Sequence, residues 1–118
     1  VIKKRDELRE LNLLLDGILN NIPVYLYVKD PEDDFRYLYW NKAFAEHSKI
    51  PASRAIGRTD FEIFPERADA ERFRRDDLEL IRTHERIDMQ ETYVAATGET
   101  RIVQTLKALV PMDFLAFG

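Results

Sequence analysis

The sequence changes from strand to helix within one short stretch, Leu38-Tyr39-Trp40-Asn41-Lys42-Ala43-Phe44. The aromatic and aliphatic residues up to Trp40 favour a β-strand. Asn41 is a good N-cap for a short helix over residues 42–47, since its side chain can accept hydrogen bonds from the first free backbone N–H groups. The stretch therefore predicts a strand that leads directly into a helix.

A second strand is predicted immediately before this one. Residues 24–29 alternate aliphatic with amphipathic side chains, and Val24, Leu26 and Val28 are expected to point into the core. The polar segment 30–34 contains Pro31 and favours a turn. Residues 24–29 and 35–40 are therefore predicted to form a β-hairpin.

Helices and then strands follow along the chain. Pro51 and a capping-box spacing from Thr59 predict two further short helices. Residues 67–83 form the longest predicted internal helix, with one apolar side that includes Asp77. Strands are expected over residues 87–95, 100–110 and 114–117, and on the second of them Ile102, Leu106, Ala108 and Val110 share a face with Gln104. This order of elements indicates an α+β domain.

The N-terminal residues 1–22 have the apolar spacing of a heptad repeat. The seam contains Leu8, Leu11, Leu15 and Ile18, and such a seam favours a partner helix, so we expect a homodimer. A single amphipathic helix that packs only on its own domain is the alternative.

Composition excludes several classes of function. The chain has 118 residues, a formal charge of −4 and no cysteine, which excludes disulfide frameworks, thiolate metal sites and cysteine nucleophiles. The interspersed, mildly acidic charge argues against a nucleic-acid surface. No apolar run is long enough to cross a bilayer, so we expect a soluble cytoplasmic segment. Scattered glycines and two distant histidines offer no catalytic motif, and we expect no enzymatic activity.

Four segments in order resemble the PAS (Per-Arnt-Sim) sensor domains. They are residues 38–44, residues 56–65 with a Gly-Arg-Thr-Asp core, the helix around residues 73–81, and the turn at residues 97–101. The resemblance covers about residues 20–118. It implies a five-stranded antiparallel sheet with helices on one face and a small pocket between them. It also implies a division into a linker helix, residues 1–22, and a sensor domain, residues 23–118.

The resemblance further implies a role in bacterial signal transduction. Residues 1–22 then correspond to the flanking helix through which such domains pair and pass signals to an output domain of the same polypeptide, such as a histidine kinase or a diguanylate cyclase. We expect a sensory domain that binds a small ligand or a partner. A ligand-free interaction module, whose core is filled by its own side chains, is the alternative.

Candidate ligand-binding residues lie on the long helix and the later strands. A carboxylate on an apolar helix face must find hydrogen-bond donors, so Asp77 is predicted to bond either a ligand or a structural partner, a backbone N–H group or Arg101. Gln104 is expected to bond a ligand, Asp77 or a tyrosine, and Tyr93 and Phe73 complete the predicted pocket.

Cofactor candidates are few. The cysteine adduct of light-oxygen-voltage flavin domains is excluded by composition. Haem binding by some PAS domains uses a histidine on the long helix, which points to His84. The competing interpretation is that His84 ends that helix in a left-handed conformation. His47, at the end of a short polar helix, is interpreted as a surface residue.

Overall fold

The computed structural model describes residues 2–110, and of residues 2–8 and residue 12 it describes only the backbone. Its elements in chain order are α1 (Ile2–Leu19), β1 (Tyr27–Asp30), β2 (Arg36–Trp40), α2 (Lys42–Ser48), α3 (Ala52–Ala55), α4 (Asp60–Ile63), α5 (Arg67–Thr83), β3 (Ile87–Val94) and β4 (Thr100–Lys107). The chain divides between Thr59 and Asp60 into two compact units, which we call the first unit and the second unit.

The first helix, α1, ends at Leu19, short of the predicted end at residue 22. Two asparagine side chains bond to carbonyls of its last turn. The Asn21 amide donates to the carbonyl of Gly17, and the Asn41 amide donates to the carbonyl of Leu19 at 3.0 Å. Side-chain donors thus satisfy carbonyls that the last turn of a helix leaves free.

The first unit contains the predicted hairpin, but its inward face is not the predicted one. A β-bulge at Leu38 shifts the register, so that Tyr37 and Trp40 both pack inward although they are three residues apart. The prediction is wrong for Val24 and Val28, which are 50% and 41% exposed. Alternation along a strand distinguishes two faces but does not show which of them is buried. Here the face with the aromatic residues Tyr37 and Trp40 is buried.

Aromatic rings form the core of the first unit. The ring of Phe44 lies 4.2 Å from that of Trp40 and 5.7 Å from that of Tyr27. The indole N–H of Trp40 donates to the carbonyl of Ile50 at 3.0 Å, so the polar atom of this buried side chain is satisfied. The N-cap prediction is confirmed, because Asn41 accepts a hydrogen bond from the backbone N–H of Phe44.

The second unit contains α4, α5 and the hairpin of β3 and β4. The predicted helix 67–83 is confirmed as α5, and it buries Ala70, Phe73, Asp77 and Leu80 on one side. His84 follows it with φ 59° and donates its backbone N–H to the carbonyl of Leu80 at 2.8 Å. The predicted helix-ending role of His84 is therefore confirmed.

The apolar face of β4 that carries Gln104, a predicted pocket residue, is exposed. Ile102 and Leu106 are 65% and 57% exposed, whereas Lys107, on the opposite face, is buried. The alternation of residues in β4 is the expected one, but the inward and outward faces are exchanged. Lys107 decides the orientation, because its ammonium bonds to Asp77 on α5.

The strands of residues 2–110 form two separate two-stranded antiparallel sheets, β1 with β2 and β3 with β4. The fifth predicted strand, residues 114–117, lies outside the described residues. Among the helices that the structure describes, none has the length and apolar character needed to span a membrane.

Candidate functional site

Three of the four predicted pocket residues come together in the second unit. Phe73, Asp77 and Tyr93 are all buried. The ring of Phe64 joins two of them edge to face, 5.1 Å from the ring of Phe73 and 5.7 Å from that of Tyr93. This cluster is held by α4, α5 and β3, the elements that meet around the side chain of Phe64.

The polar centre of this cluster is an ion pair. The Lys107 ammonium donates to a carboxylate oxygen of Asp77 at 3.1 Å, and the two side chains are only 5% and 7% exposed. The ammonium also lies 5.5 Å from the centre of the Phe73 ring, within the range of a cation–π contact. Lys107 was not among the predicted partners of Asp77, yet it meets the requirement that a buried carboxylate find a donor.

Gln104 does not join the cluster. It lies on the exposed face of β4 and donates to a carboxylate oxygen of Asp88 at 2.7 Å. The expected bond from Gln104 to Asp77 or a tyrosine is therefore not formed. The exchange of the two faces of β4 explains this result, because it turns Gln104 outward and Lys107 inward.

Two charged residues attach α5 to β3 beside the cluster. Asp69 accepts the backbone N–H of Val94 at 2.8 Å and pairs with Arg72 at 3.2 Å. Arg72 also donates to the carbonyl of Thr92 and lies 3.8 Å from Glu91. These groups satisfy β3 backbone atoms and fix the position of Phe73, the next residue on α5. The sequence analysis did not identify Asp69 or Arg72, because oppositely charged residues three apart on a helix are common on solvent-exposed faces.

A second candidate site is an open groove in the first unit. It has a volume of about 510 Å³, and its walls are Asp16, Asn20, Leu38, Tyr39, Trp40, Lys42, Ala45, Pro51, Ala52 and Ile56. The hydroxyl of Tyr39 is buried with no hydrogen-bond partner among the described residues. Burial, and then the negative charge of Asp16, raise the pKa of the Tyr39 phenol.

Neither histidine lies in a cluster that suits a metal. His84 is exposed at the end of α5, and the ring of His47 stacks on that of Tyr25 at 4.2 Å. Among the side chains that the structure describes, those of residues 9–11 and 13–110, no group of three His, Cys, Asp or Glu residues is arranged to hold a metal ion.

The predicted seam of α1 is exposed where its side chains are described. Leu11, Leu15 and Ile18 are 39%, 41% and 50% exposed, and Leu14 is exposed beside them. The side chain of Leu8 lies outside the described residues. The spacing of three and four places these four leucine and isoleucine side chains along one side of the helix.

Comparisons with known proteins agree with this architecture. A family model described as PAS fold matches residues 19–113. The uncharacterized protein y4lL of Sinorhizobium fredii (strain NBRC 101917 / NGR234) is 34% identical over 93 residues, which are 79% of this chain and 11% of that protein. The chain thus spans about a tenth of the length of this curated relative.

Two solved structures share the fold. The PAS domain of an HTR-like protein from Haloarcula marismortui has a TM-score of 0.62 and 20% identity, with 90% of this chain and 84% of that one covered. The LOV domain of a blue-light activated histidine kinase from Erythrobacter litoralis EL346 has a TM-score of 0.57 and 24% identity, with 73% and 79% covered. With the family model matching most of its length, the chain belongs to the PAS family and has the α+β fold of these signalling sensor domains.

Proposed function

We propose that this chain is a cytoplasmic sensory domain of a larger bacterial signalling protein and that it pairs as a homodimer through α1. In this proposal the second unit binds a small ligand or a partner, and α1 passes the resulting change to an output domain of the same polypeptide. A histidine kinase is the proposed output. The segment itself binds no nucleic acid and catalyses no reaction.

The observation that carries the proposal is the apolar stripe of α1, formed by Leu11, Leu14, Leu15 and Ile18. All four side chains are exposed in the single chain. Exposed apolar residues that stand singly need no explanation, but a continuous stripe on one helix is typical of an interface. In a parallel pair of helices the seam positions Leu11, Leu15 and Ile18 would pack against their own copies, and Leu14 would flank them.

The comparisons support two other parts of the proposal, the larger protein and its output domain. The relative y4lL is far longer than the segment that this chain resembles, which favours a domain within a larger protein. The LOV neighbour is part of a histidine kinase, which favours the proposed output.

A signal needs two arrangements of the domain that a ligand binds unequally. The cluster of Phe73, Asp77 and Tyr93 is the proposed place of binding, because it places aromatic rings beside one polar pair. A ligand that bonds the Lys107 ammonium or the Asp77 carboxylate would change how tightly β4 is held to α5.

Pairing is tested by the mass of the chain in solution. Leu11→Glu combined with Ile18→Glu places two charges in the stripe and should convert a dimer into a folded monomer. Leu13→Glu is the matched control, since Leu13 is 65% exposed and lies opposite the heptad seam. A double variant that keeps the dimer mass would disprove pairing through this stripe.

The second candidate is a ligand-free interaction module. It is favoured by the way the cluster residues already satisfy one another, with Asp77 bonded to Lys107 and three rings packed edge to face. Native mass spectrometry separates the two, because a sensor purified with its ligand has added small-molecule mass and a module has none. Weakly held ligands are detected by thermal-shift screening, since binding to the folded state raises Tm.

A further inference from the structure

The end of α1 is attached to the rest of the first unit by the side chain of Asn41, which has no exposed surface. Its Nδ2 donates to the carbonyl of Leu19 at 3.0 Å and to the carbonyl of Val24 at 2.8 Å. The first carbonyl belongs to the last residue of α1, and the second to the segment that leads from α1 to β1. One amide group therefore bonds both to the end of α1 and to the segment that follows it.

The oxygen of the same amide bonds to backbone groups of the first unit outside α1. Asn41 Oδ1 accepts the backbone N–H of Leu26 and that of Phe44, both at 3.0 Å. An asparagine amide has two N–H donors and two acceptor lone pairs, so all of its hydrogen-bonding capacity is used. Any rotation of this side chain would break bonds to α1, to the connection and to α2 together.

A second contact supports the first. The backbone N–H of Lys42 donates to Asn20 Oδ1 at 2.8 Å, so the residue after α1 is bonded to the residue after Asn41. The backbone of Asn41 is equally fixed, because its N–H donates to Leu26 and its carbonyl accepts from Ala45, both at 3.0 Å.

The aromatic core lies directly beside this amide. Trp40 precedes Asn41, and its ring stacks on that of Phe44 at 4.2 Å, while Phe44 supplies one of the N–H groups that Asn41 accepts. Asn41 thus links this ring pair to the carbonyl of Leu19 through direct contacts.

We propose that Asn41 is the joint that couples the packing of the first unit to the orientation of α1, with an attached state and a released state of the helix. In the attached state all four amide bonds are formed. In the released state the two donor bonds are lost, and α1 leaves the domain at another angle. The inference rests on the proposed signalling role of α1, but the attachment itself is testable without pairing or ligand.

The test is amide hydrogen exchange of the whole chain with Asn41→Asp. The carboxylate keeps the two acceptor bonds but replaces the Nδ2 amino group, and with it both N–H donors, by one oxygen that faces the carbonyls of Leu19 and Val24. We expect exchange in residues 16–26 to accelerate about 10- to 100-fold, which corresponds to the loss of two ordinary hydrogen bonds. Exchange in α2 and in the second unit should stay at the wild-type rate. Asn41→Ser, which still caps α2 but is too short to reach α1, should give the same pattern without a charge.

Asn20→Asp is the matched control. Asn20 contributes only its oxygen to the bond with Lys42, so an aspartate there adds the same charge and keeps the attachment. We expect wild-type exchange in residues 16–26 for this variant. Uniform acceleration over the whole chain in both Asn41 variants would show that Asn41 is merely structural, and no acceleration in residues 16–26 would show that it does not hold α1. Either result overturns the joint, whereas a monomeric chain that shows the expected pattern would overturn only pairing.

Discussion

Replacing Lys107 by Met should strongly destabilise the second unit, because it removes the cation that bonds the buried Asp77 carboxylate. The two charged groups are 3.1 Å apart and almost fully buried. At an effective dielectric constant of about 20 their attraction is about 5 kcal/mol, and breaking buried pairs from one side costs about 3–5 kcal/mol. The free energy of unfolding of a native domain is about 5–15 kcal/mol in total, so the variant loses a large part of its stability.

The assay is thermal and urea unfolding of the single variant and of a double variant, Asp77→Leu with Lys107→Met. For a chain of this length, 3–5 kcal/mol lowers Tm by about 12–20 °C. The double variant removes both charges and should recover most of this loss, since apolar replacement of a buried pair is often neutral or stabilising. Lys42→Met, at an exposed lysine, is the control and should change stability by less than about 0.5 kcal/mol.

Two results would refute this reasoning. A decrease of less than about 4 °C for Lys107→Met, which is about 1 kcal/mol, would mean that water reaches the Asp77 carboxylate. A double variant as unstable as the single one would mean that the loss of stability comes from packing rather than from the broken ion pair.

Three further predictions follow from single side chains. Burial raises the pKa of the Tyr39 phenol above the usual 10.0, so the folded chain keeps a proton that the unfolded chain releases. The free energy of unfolding should therefore fall as pH rises past 10, and Tyr39→Phe should reduce that fall in urea midpoints. His84→Gly should raise Tm, because φ 59° costs a non-glycine residue about 1 kcal/mol; an unchanged or lower Tm would contradict the cap. Gln104→Ala should change unfolding by less than about 0.5 kcal/mol, since Gln104 and its bond to Asp88 are exposed; a loss several times larger in urea unfolding would show a buried role.

Much of the fold could be predicted from local signals in the sequence. The bounds of α5 follow from its apolar spacing and its left-handed end at His84, and the N-cap at Asn41 follows from residue type. These features depend on neighbouring residues only. The family could be predicted as well, because four short segments occur in the order that PAS domains share.

The orientation of the strands could not be predicted in the same way. Alternation in β1 and β4 gives two faces, and the choice between them depends on partners distant in sequence. The bulge at Leu38 turns Tyr37 inward, and the bond to Asp77 turns Lys107 inward. Because buried lysines are rare, the apolar face of β4 is the one expected to be buried. This expectation placed Gln104 in the pocket, whereas it lies on the exposed face.

The candidate site could be predicted only in part, because it too depends on residues that are distant in sequence. Phe73, Asp77 and Tyr93 were identified from an apolar helix stripe with one acid and from a strand aromatic. The partner of Asp77 was missed because Lys107 is 30 residues away in sequence, and no local pattern joins them.

The most direct test of the proposed function is native mass spectrometry of the purified chain over a dilution series. We predict a dimer of twice 13.9 kDa that becomes a monomer when Leu11 and Ile18 are both replaced by Glu. A chain that has the monomer mass at every concentration, with α1 intact, would contradict signalling through a paired helix.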